Sequence, residues 1–161
     1  VFDNVFTGFH LEYKTRILHQ FLHTPAAGRE EKDIRRETMK ILETMGLAHL
    51  KDELAANLPH GHQRILGICV ALASRPQLLL LDEPVTGMNP GETLQSIDLI
   101  RRLRDRGITI VLVEHDMGAV MNLCDRIVVL NYGTKIAEGS PREIKENKQV
   151  IEAYLGPEGD G

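Results

Sequence analysis

The spacing of hydrophobic residues changes character near residue 77 of this 161-residue chain. Before that point, apolar residues recur every three or four positions, as they do in amphipathic helices. After it, short apolar runs alternate with helical patterns, which is typical of a parallel sheet with helices between its strands. The pattern predicts an α/β fold in which an all-helical segment precedes the strands.

The first 57 residues contain no convincing strand and predict three helices. The first helix has its N-cap at Asp3 and an apolar face of Val5, Phe6 and Phe9. The second lies within Thr15–Thr24, with Ile17, Leu18, Phe21 and Leu22 at helical spacing. The apolar face of the third consists of Ile34, Thr38, Ile41, Leu42 and Met45. Pro25–Gly28 is expected to break the helical pattern, and Gly46 to end the third helix. Farther on, Ile65–Ser74 is apolar nearly all round and predicts a buried helix.

Two apolar strands flank a helix in the second half of the chain. Leu78–Leu81 reads as a short strand buried on both faces, and Ile108–Val113 as a second strand. The intervening helix is predicted from a capping box with its N-cap at Asn89, from an apolar face and from a stop at Gly107. That face consists of Leu94, Ile97, Ile100 and Leu103. Together these elements predict a right-handed β-α-β unit.

The remaining pattern predicts a strand pair and a terminal helical segment. Ile127–Leu130 is the next strand, and a turn at Asn131–Thr134 leads into Lys135–Glu138 as its antiparallel partner. Ser140–Glu143 repeats the capping-box chemistry and opens the last helical segment. Residues 157–161 are expected to fray.

Composition excludes several classes of protein. Hydrophobic residues make up 42% and charged residues 26%, which are ordinary globular values. The net charge of −4 gives no electrostatic case for nucleic-acid binding. Cys69 and Cys124 are expected to be unpaired, as in a reducing cytosol. The longest apolar stretch, Ile65–Ala73, is too short to span a bilayer, so we expect membrane association to require a partner.

Acidic and imidazole side chains follow the two apolar strands. Asp82 and Glu83 come at the carboxyl end of the first strand, and His115 comes just after the second. If the strands are neighbours, these side chains converge at the sheet edge where open α/β folds bind ligands. A carboxylate there can hold Mg²⁺, and its neighbour can orient or deprotonate a water. The alternative is that Asp82-Glu83-Pro84 is only a strand end before a turn, and His115 a solvated loop residue.

Four motifs in a fixed order resemble the nucleotide-binding subunit of ABC transporters. They are Leu58-Pro59-His60-Gly61-His62-Gln63-Arg64, Asp82-Glu83-Pro84, Gly87-Met88-Asn89-Pro90 and Glu114-His115-Asp116. In that family they correspond to the signature loop, the Walker B motif, the D-loop and the switch histidine. The resemblance covers essentially the whole chain. It is strongest to the ATPase subunits of branched-chain amino acid importers, which share the ending Val150–Gly156.

The resemblance implies a P-loop NTPase-like, partly parallel α/β sheet with an all-helical subdomain. It divides the chain into a helical, signature-bearing subdomain at residues 1–60 and the remainder of the ATPase core at 61–161. No G-x-x-x-x-G-K-[ST] occurs in the sequence. The family places that phosphate-binding loop and the glutamine loop before Val1. We therefore expect an N-terminally truncated subunit that lacks about the first third.

The resemblance also implies a role for each matched residue. Asp82 corresponds to the aspartate that holds Mg²⁺ through water, Glu83 to the catalytic carboxylate and His115 to the switch histidine at the γ-phosphate. The signature loop covers the ATP of the opposing subunit, and the D-loop crosses the dimer interface. The residues implied in these two loops are His60, Gly61, His62 and Gln63, and Gly87 and Asn89.

The implied partners are a second ATPase subunit (identical or not), membrane permease domains and, indirectly, a periplasmic or extracellular solute-binding protein. ATP and Mg²⁺ are the implied ligands. The implied location is peripheral, at the cytoplasmic face of the inner membrane.

The signature loop departs from the family pattern Leu-Ser-x-Gly-Gln-Gln-Arg. Pro59 replaces a serine that can bond the γ-phosphate, and one charge-assisted hydrogen bond is worth about 1.5–3 kcal/mol. We therefore expect weaker closure of the nucleotide sandwich. His60 or His62 restores part of this contact, or both are solvated loop residues. A zinc site from His60, His62 and Cys69 is a further alternative, although Cys69 falls in a mostly apolar helix.

Other functions stay open at this point. One is a non-catalytic ATPase remnant that acts as an interaction subunit. Another is a cytosolic, non-transport member of the superfamily, although such proteins usually carry two cassettes or a long coiled coil. A third is the ATPase subunit of a transporter for lipopolysaccharide, urea or short amides.

Overall fold

The computed structural model describes residues 1–11 and 25–155. The chain divides into two compact units, Val1–Val111 and Leu112–Gly161. These units do not test the predicted subdivision at residue 60, which stays a prediction. The predicted helix at Thr15–Thr24 and the predicted fraying at 157–161 lie outside the described residues.

The first unit begins with helices. They are α1 (Phe2–Gly8), α2 (Pro25–Thr44) and α3 (His60–Ala73), with short 3₁₀ turns at Phe9–Leu11, Ala48–Leu50 and Ala55–Asn57. α1 packs against both α2 and α3. A β-carbon on Gly8 would lie 2.7 Å from the Val70 carbonyl oxygen and 2.8 Å from the Ala73 β-carbon, so α1 approaches α3 very closely there.

The predicted apolar stripe of α2 is largely confirmed. Ile34, Thr38, Leu42 and Met45 are all buried, whereas Ile41 is half-buried. Gly46 has φ +75° and follows the helix, as predicted.

Two predicted helix boundaries are wrong. α2 begins at Pro25 instead of being broken at Pro25–Gly28, because proline is tolerated in the first turn, where its missing N–H has no helical partner. α1 begins at Phe2 with Val1 as N-cap, so Asp3 lies in the first turn, where its charge complements the helix dipole.

α3 is less buried than its composition predicts. Its buried residues are Gly61, Leu66, Ile68, Cys69 and Ala73. Ile65, Val70 and Leu72 are half-buried and Gly67 is exposed. The described part of the first unit therefore covers one face of this helix and leaves the other partly open.

β1 (Leu78–Asp82) and β2 (Thr109–Val113) are hydrogen-bonded, parallel neighbours. The predicted burial of β1 on both faces is wrong. Leu79 and Leu81 are buried, but Leu78 and Leu80 are 52% and 69% exposed. Successive side chains of a strand point to opposite faces, and the described residues leave one of those faces open.

α4 (Pro90–Asp105) connects these two strands. Its capping box is confirmed: the Glu92 amide donates to Asn89 Oδ1, and the Asn89 amide donates to Glu92 Oε2, both at 3.0 Å. Leu94, predicted on the apolar face, is 67% exposed. A three-residue step falls about 60° short of a full helical turn, so the i+3 series drifts around the helix. Leu94 lies at the end that has drifted off the buried face, and Ser96 is buried instead.

The second unit contains α5 (Met117–Leu123), β3 (Ile127–Asn131), β4 (Thr134–Gly139), α6 (Pro141–Lys145) and α7 (Lys148–Leu155). β3 and β4 form the predicted antiparallel pair, with positive φ at Tyr132 and Gly133 in the turn. The capping box of Ser140 and Glu143 is also confirmed. The core of this unit consists of Val120, Ile127, Val129, Ala137, Ile144 and Val150.

Among the helices that the structure describes, none combines the length and the apolar character that crossing a membrane would require.

Candidate active site

The carboxyl end of β1 carries two consecutive carboxylates on an unusual backbone. β1 ends at the exposed Asp82, and Glu83 follows with φ +46°. Left-handed backbone is uncommon for a residue with a side chain, and it is typical of functional sites whose surroundings hold it in place. The buried residues Pro84 and Val85 continue the turn. The strand end is therefore a fixed, non-repetitive turn.

The Glu83 carbonyl is held from two directions. It accepts the Thr86 amide at 3.3 Å, within the turn itself. It also accepts a hydrogen bond from Arg64 Nη1 at 2.5 Å, from the first turn of α3. The start of α3 and the end of β1 are thus joined directly inside the first unit.

The signature loop (Leu58–Arg64) and the D-loop (Gly87–Pro90) pack together in the same unit. A β-carbon on Gly87, whose φ is +79°, would lie 3.6 Å from Cδ2 of His60. A β-carbon on Gly61 would lie 3.6 Å from Met88 Cγ and from the Glu92 carboxylate. Ser96 Oγ donates to Met88 Sδ at 3.2 Å and ties the D-loop to α4. Two segments that are 26 residues apart in sequence, Gly61 and Gly87, therefore share one local structure.

Pro59 is the N-cap of α3, with φ −53° and ψ 150°, and no side chain caps the helix there. Its carbonyl accepts the Gln63 amide at 3.0 Å, and Gln63 Nε2 donates to the Leu58 carbonyl at 2.8 Å. The Gln63 side chain thus donates a hydrogen bond to the backbone of its own loop. With φ −53°, the proline fits the helix start without strain.

The proposed zinc site is wrong. The described residues, which include His60, His62 and Cys69, contain no group of three or more His, Cys, Asp or Glu side chains placed to hold a metal ion. His62 packs edge-on against His49, with ring centroids 6.4 Å apart, and its buried Nδ1 has no hydrogen-bond partner within the described ranges. Burial raises the pKa of the Cys69 thiol to about 12, so this side chain is a packing residue. Neither Cys69 nor Cys124 forms a disulfide in the described part of the chain, as predicted.

His115 belongs to the second unit, between β2 and α5. Its side chain is 67% exposed, and its Nδ1 lies 3.7 Å from the Glu114 carboxylate. The Glu114 side chain is fully buried and accepts the amides of His115 at 2.9 Å and Asp116 at 3.3 Å. Asp116 caps α5 through the Ala119 amide at 2.9 Å. The loop that carries His115 is therefore ordered by its two acidic neighbours, while its convergence with Asp82 and Glu83 stays a prediction.

Sequence reasoning included Arg64 and Glu114 in its motifs but assigned neither of them a role. Arg64 is the last charged residue before the apolar part of α3, and Glu114 follows an apolar strand directly. A charged side chain at the edge of a buried element is a signal for a structural hydrogen bond, because it must be paired when it is taken from water. Both residues use their side chains to hold backbone groups of the predicted site.

The strand end fits a magnesium ion that is held jointly with a bound nucleotide. Asp82 offers an exposed carboxylate, and Mg²⁺ is usually bound by one or two carboxylates while phosphates and waters complete its shell. The described residues alone form no complete metal cage. Such an ion would polarise a phosphoryl group, and Asp82 would supply the protein oxygen that holds it through water.

Comparison with known proteins places this fold and these loops in a family. The model of the ABC transporter family matches residues 4–86, and the model of the branched-chain amino acid ATP-binding cassette transporter matches residues 134–156. The chain belongs to the ABC transporter family, as part of its ATP-binding domain. The resemblance seen in the motifs is confirmed.

Several relatives carry branched-chain amino acid transport in their names. The chain is 41% identical over 157 residues to the high-affinity branched-chain amino acid transport ATP-binding protein LivG of Salmonella typhimurium. It is 39% identical over 155 residues to the corresponding protein BraF of Pseudomonas aeruginosa. These alignments cover 97% and 96% of the chain but only 62% and 61% of the relatives, so the chain spans less than two thirds of their length.

Solved structures agree. The ADP conformation of MJ1267, an ATP-binding cassette of an ABC transporter, superposes with a TM-score of 0.76 at 28% identity, over 97% of this chain and 62% of that one. CbiO1 of Clostridium perfringens, part of an ABC transporter complex, gives 0.67 at 32% identity over 76% and 49%. The predicted α/β class with a parallel sheet is thereby confirmed.

Proposed function

We propose that this chain is part of the ATP-binding and ATP-hydrolysing subunit of an ABC transporter that imports branched-chain amino acids. The observation that carries the proposal is the end of β1. There Asp82 and the left-handed Glu83 follow one another at the carboxyl edge of a parallel strand, in a chain of this family. The likeness to LivG and BraF supports the substrate class.

In this proposal each residue has one task. Asp82 holds Mg²⁺ through water, Glu83 accepts the proton of the attacking water, and His115 contacts the γ-phosphate. The signature loop, with His60, Gly61, His62 and Gln63, covers the ATP of a second subunit. Gly87 and Asn89 of the D-loop face the same interface. Membrane permease domains and, through them, a periplasmic or extracellular solute-binding protein are the remaining partners. The subunit itself is peripheral, at the cytoplasmic face of the inner membrane.

A second candidate function is a non-catalytic interaction subunit that pairs with a competent ATPase. Pro59 favours it, because proline at the N-cap of α3 has neither the hydroxyl nor the N–H that serine would offer to a phosphate. The two candidates differ in one measurable property, which is hydrolysis of ATP that depends on Glu83.

The test uses a completed cassette, defined as this chain joined to the amino-terminal part of Salmonella LivG that the chain does not span. The completed cassette is expressed in cells that lack LivG, and uptake of labelled leucine is measured beside ATP hydrolysis by the purified protein. We expect both activities, and we expect Glu83→Gln to abolish both. Hydrolysis without leucine uptake would contradict the substrate class, and binding to the permease without hydrolysis would favour the interaction subunit.

A further inference from the structure

The first turn of α3 holds the backbone of Glu83. Arg64 and Glu83 are 19 residues apart, and their hydrogen bond is partly buried. A guanidinium that donates to a carbonyl makes a charge-assisted bond, which is stronger than a bond between neutral groups. A second bond to this carbonyl, from the Thr86 amide, is 3.3 Å long, beyond the usual range for an amide donor. The hydrogen bond from Arg64 is therefore the stronger of these two bonds.

The backbone conformation of Glu83, which the hydrogen bond from Arg64 stabilises, is unfavourable by itself. Glu83 has φ +46°, which a residue with a β-carbon adopts at a conformational cost. Such a conformation persists only where the surrounding structure over-determines it. The arginine itself is not ideally satisfied, since its buried Nε has no hydrogen-bond partner among the described residues. A buried donor left unpaired is unfavourable, so burying Arg64 carries a local penalty.

The same helix start also contacts the D-loop. His60 lies beside Gly87, and Gly61 lies beside Met88, in the same unit as the bond from Arg64 to Glu83. A displacement of the start of α3 would therefore shift both the D-loop and the turn that carries Glu83. Packed elements of this kind transmit small shifts because they have little free volume.

We propose that Arg64 is a positioning residue: its hydrogen bond to the Glu83 carbonyl holds Glu83 in its left-handed conformation and links the signature loop to the carboxylate of the same subunit. The link is a property of the chain itself, whereas its effect on hydrolysis rests on the proposed function. Arg64 makes no covalent or proton-transfer step of its own.

The first experiment needs no nucleotide. Amide hydrogen exchange is measured by NMR on the 161-residue chain, for the wild type, Arg64→Met, Arg64→Lys and the control Arg36→Met. Arg36 is an exposed arginine on α2 that pairs with Asp33 at 2.8 Å. In Arg64→Met we expect exchange at Thr86 and Met88, whose amides are hydrogen-bonded in this turn, to accelerate by about tenfold or more, the size of one charge-assisted hydrogen bond. Exchange in the α2 core, at Leu42 and Met45, should not change.

Arg64→Lys keeps a charged donor, so exchange in the 86–88 turn should lie between those of the wild type and Arg64→Met. Arg36→Met should match the wild type. Equal acceleration of exchange at Leu42 and in the 86–88 turn would show that Arg64 only stabilises the unit as a whole. No acceleration in that turn would show that the hydrogen bond from Arg64 does not stabilise the turn. Either result overturns the proposal.

The second experiment uses the completed cassette. We expect Arg64→Met to lower kcat by about tenfold or more while KM for ATP changes little, because the bond orients Glu83 and does not touch the nucleotide. Arg64→Lys should recover part of kcat, and Arg36→Met should leave it unchanged. A wild-type cassette without hydrolysis would contradict the proposed function and leave the exchange test intact. Hydrolysis that is unchanged in Arg64→Met would overturn the positioning role alone.

Discussion

His60 and Gly87 are neighbours: a β-carbon on Gly87 would lie 3.6 Å from Cδ2 of the histidine, which is ordinary van der Waals distance. The signature loop and the D-loop therefore support one another within one subunit, before any second subunit is present. Because of this contact, a substitution in the signature loop is expected to affect the D-loop as well, and with it the predicted dimer interface. Pro59, the N-cap of α3, is one of two positions, with His62, at which this loop differs from the pattern Leu-Ser-x-Gly-Gln-Gln-Arg.

Restoring serine at Pro59 should strengthen the nucleotide sandwich and leave the fold almost unchanged. Serine adds an N-cap hydrogen bond worth about 1 kcal/mol, and loss of the proline ring removes a restraint of about the same size, so the two effects on stability offset each other. The new hydroxyl and N–H together offer charge-assisted bonds to a γ-phosphate, each of about 1.5–3 kcal/mol. In the completed cassette, ATP-dependent dimerisation and turnover of Pro59→Ser should rise together.

The control for this change is Pro59→Ala, which restores the N–H without the hydroxyl. ADP should not support the gain, because it lacks the phosphate concerned. Dimer affinity with ATP and with ADP, beside thermal melts without nucleotide, is the decisive measurement. If Pro59→Ser leaves ATP-driven dimerisation unchanged, the loop does not face the phosphate.

Glu83→Gln should permit ATP-dependent dimerisation of the completed cassette but lower its hydrolysis by at least ~10²-fold. An amide still hydrogen-bonds water but cannot accept its proton, and general-base assistance is worth ~10²–10⁴ in rate. The measurement is steady-state phosphate release with the partners present. Near-normal turnover would place the catalytic carboxylate elsewhere.

The 161-residue chain by itself should bind Mg-ATP weakly or not at all. Its sequence contains no G-x-x-x-x-G-K-[ST], so the backbone cradle and the lysine that hold the β- and γ-phosphates have no counterpart in it. Titration calorimetry checks this directly, with the completed cassette as the positive control. Micromolar affinity of the chain alone would contradict the assignment of the nucleotide site.

Gly8→Ala should destabilise the first unit by about 1–3 kcal/mol, because the added β-carbon would lie 2.7 Å from the Val70 carbonyl and 2.8 Å from the Ala73 β-carbon. Gly67 is the matched control. It lies on α3, where an added β-carbon would meet nothing within 4 Å, so Gly67→Ala should stabilise by about 0.5–1 kcal/mol. Urea denaturation followed by circular dichroism measures both. Equal effects of the two substitutions would show that α1 does not pack closely on α3.

The capping box of α6 should make stability depend on pH. Hydrogen bonds from the Ser140 amide and hydroxyl, both 2.7 Å, lower the pKa of Glu143 from its usual value. A carboxyl group whose pKa is lower in the folded state stabilises the fold above its unfolded pKa, and that contribution is lost as the pH falls through the folded value. Glu143→Gln should therefore melt below the wild type near neutral pH.

The difference between Glu143→Gln and the wild type should shrink as the medium is acidified below the ordinary glutamate pKa of about 4.3. Glu152→Gln, which alters an exposed residue of α7, is the control and should track the wild type at every pH. A difference that stays constant on acidification would show that the charge of Glu143 does not stabilise the box.

Features that depend on neighbours in sequence were predictable. The capping boxes at Asn89 and Ser140 are confirmed because an N-cap and the residue three positions later are always close at a helix start. The turn at Tyr132–Gly133 is confirmed for a similar reason. The order of the four motifs also led to the family, which the comparisons confirm.

Burial was predicted less well, because it depends on what packs over a residue. Leu78 and Leu80 belong to a run of four leucines, yet they are exposed while Leu79 and Leu81 are buried. The prediction that Leu94 is buried was wrong for a second reason: residues spaced by three drift around the helix. Hydrophobicity alone does not tell which face of an element the rest of the chain covers.

By itself, the sequence determined most of the described elements, the caps at Asn89 and Ser140 and the chemistry available at the loops, since these follow from local propensity and residue type. Only the tertiary structure decided that Arg64 reaches the carbonyl of Glu83 and that His60 lies beside Gly87. These pairs are separated by 19 and 27 positions in the chain. No local pattern encodes such contacts, because they arise only when packed helices and strands bring distant backbone segments together.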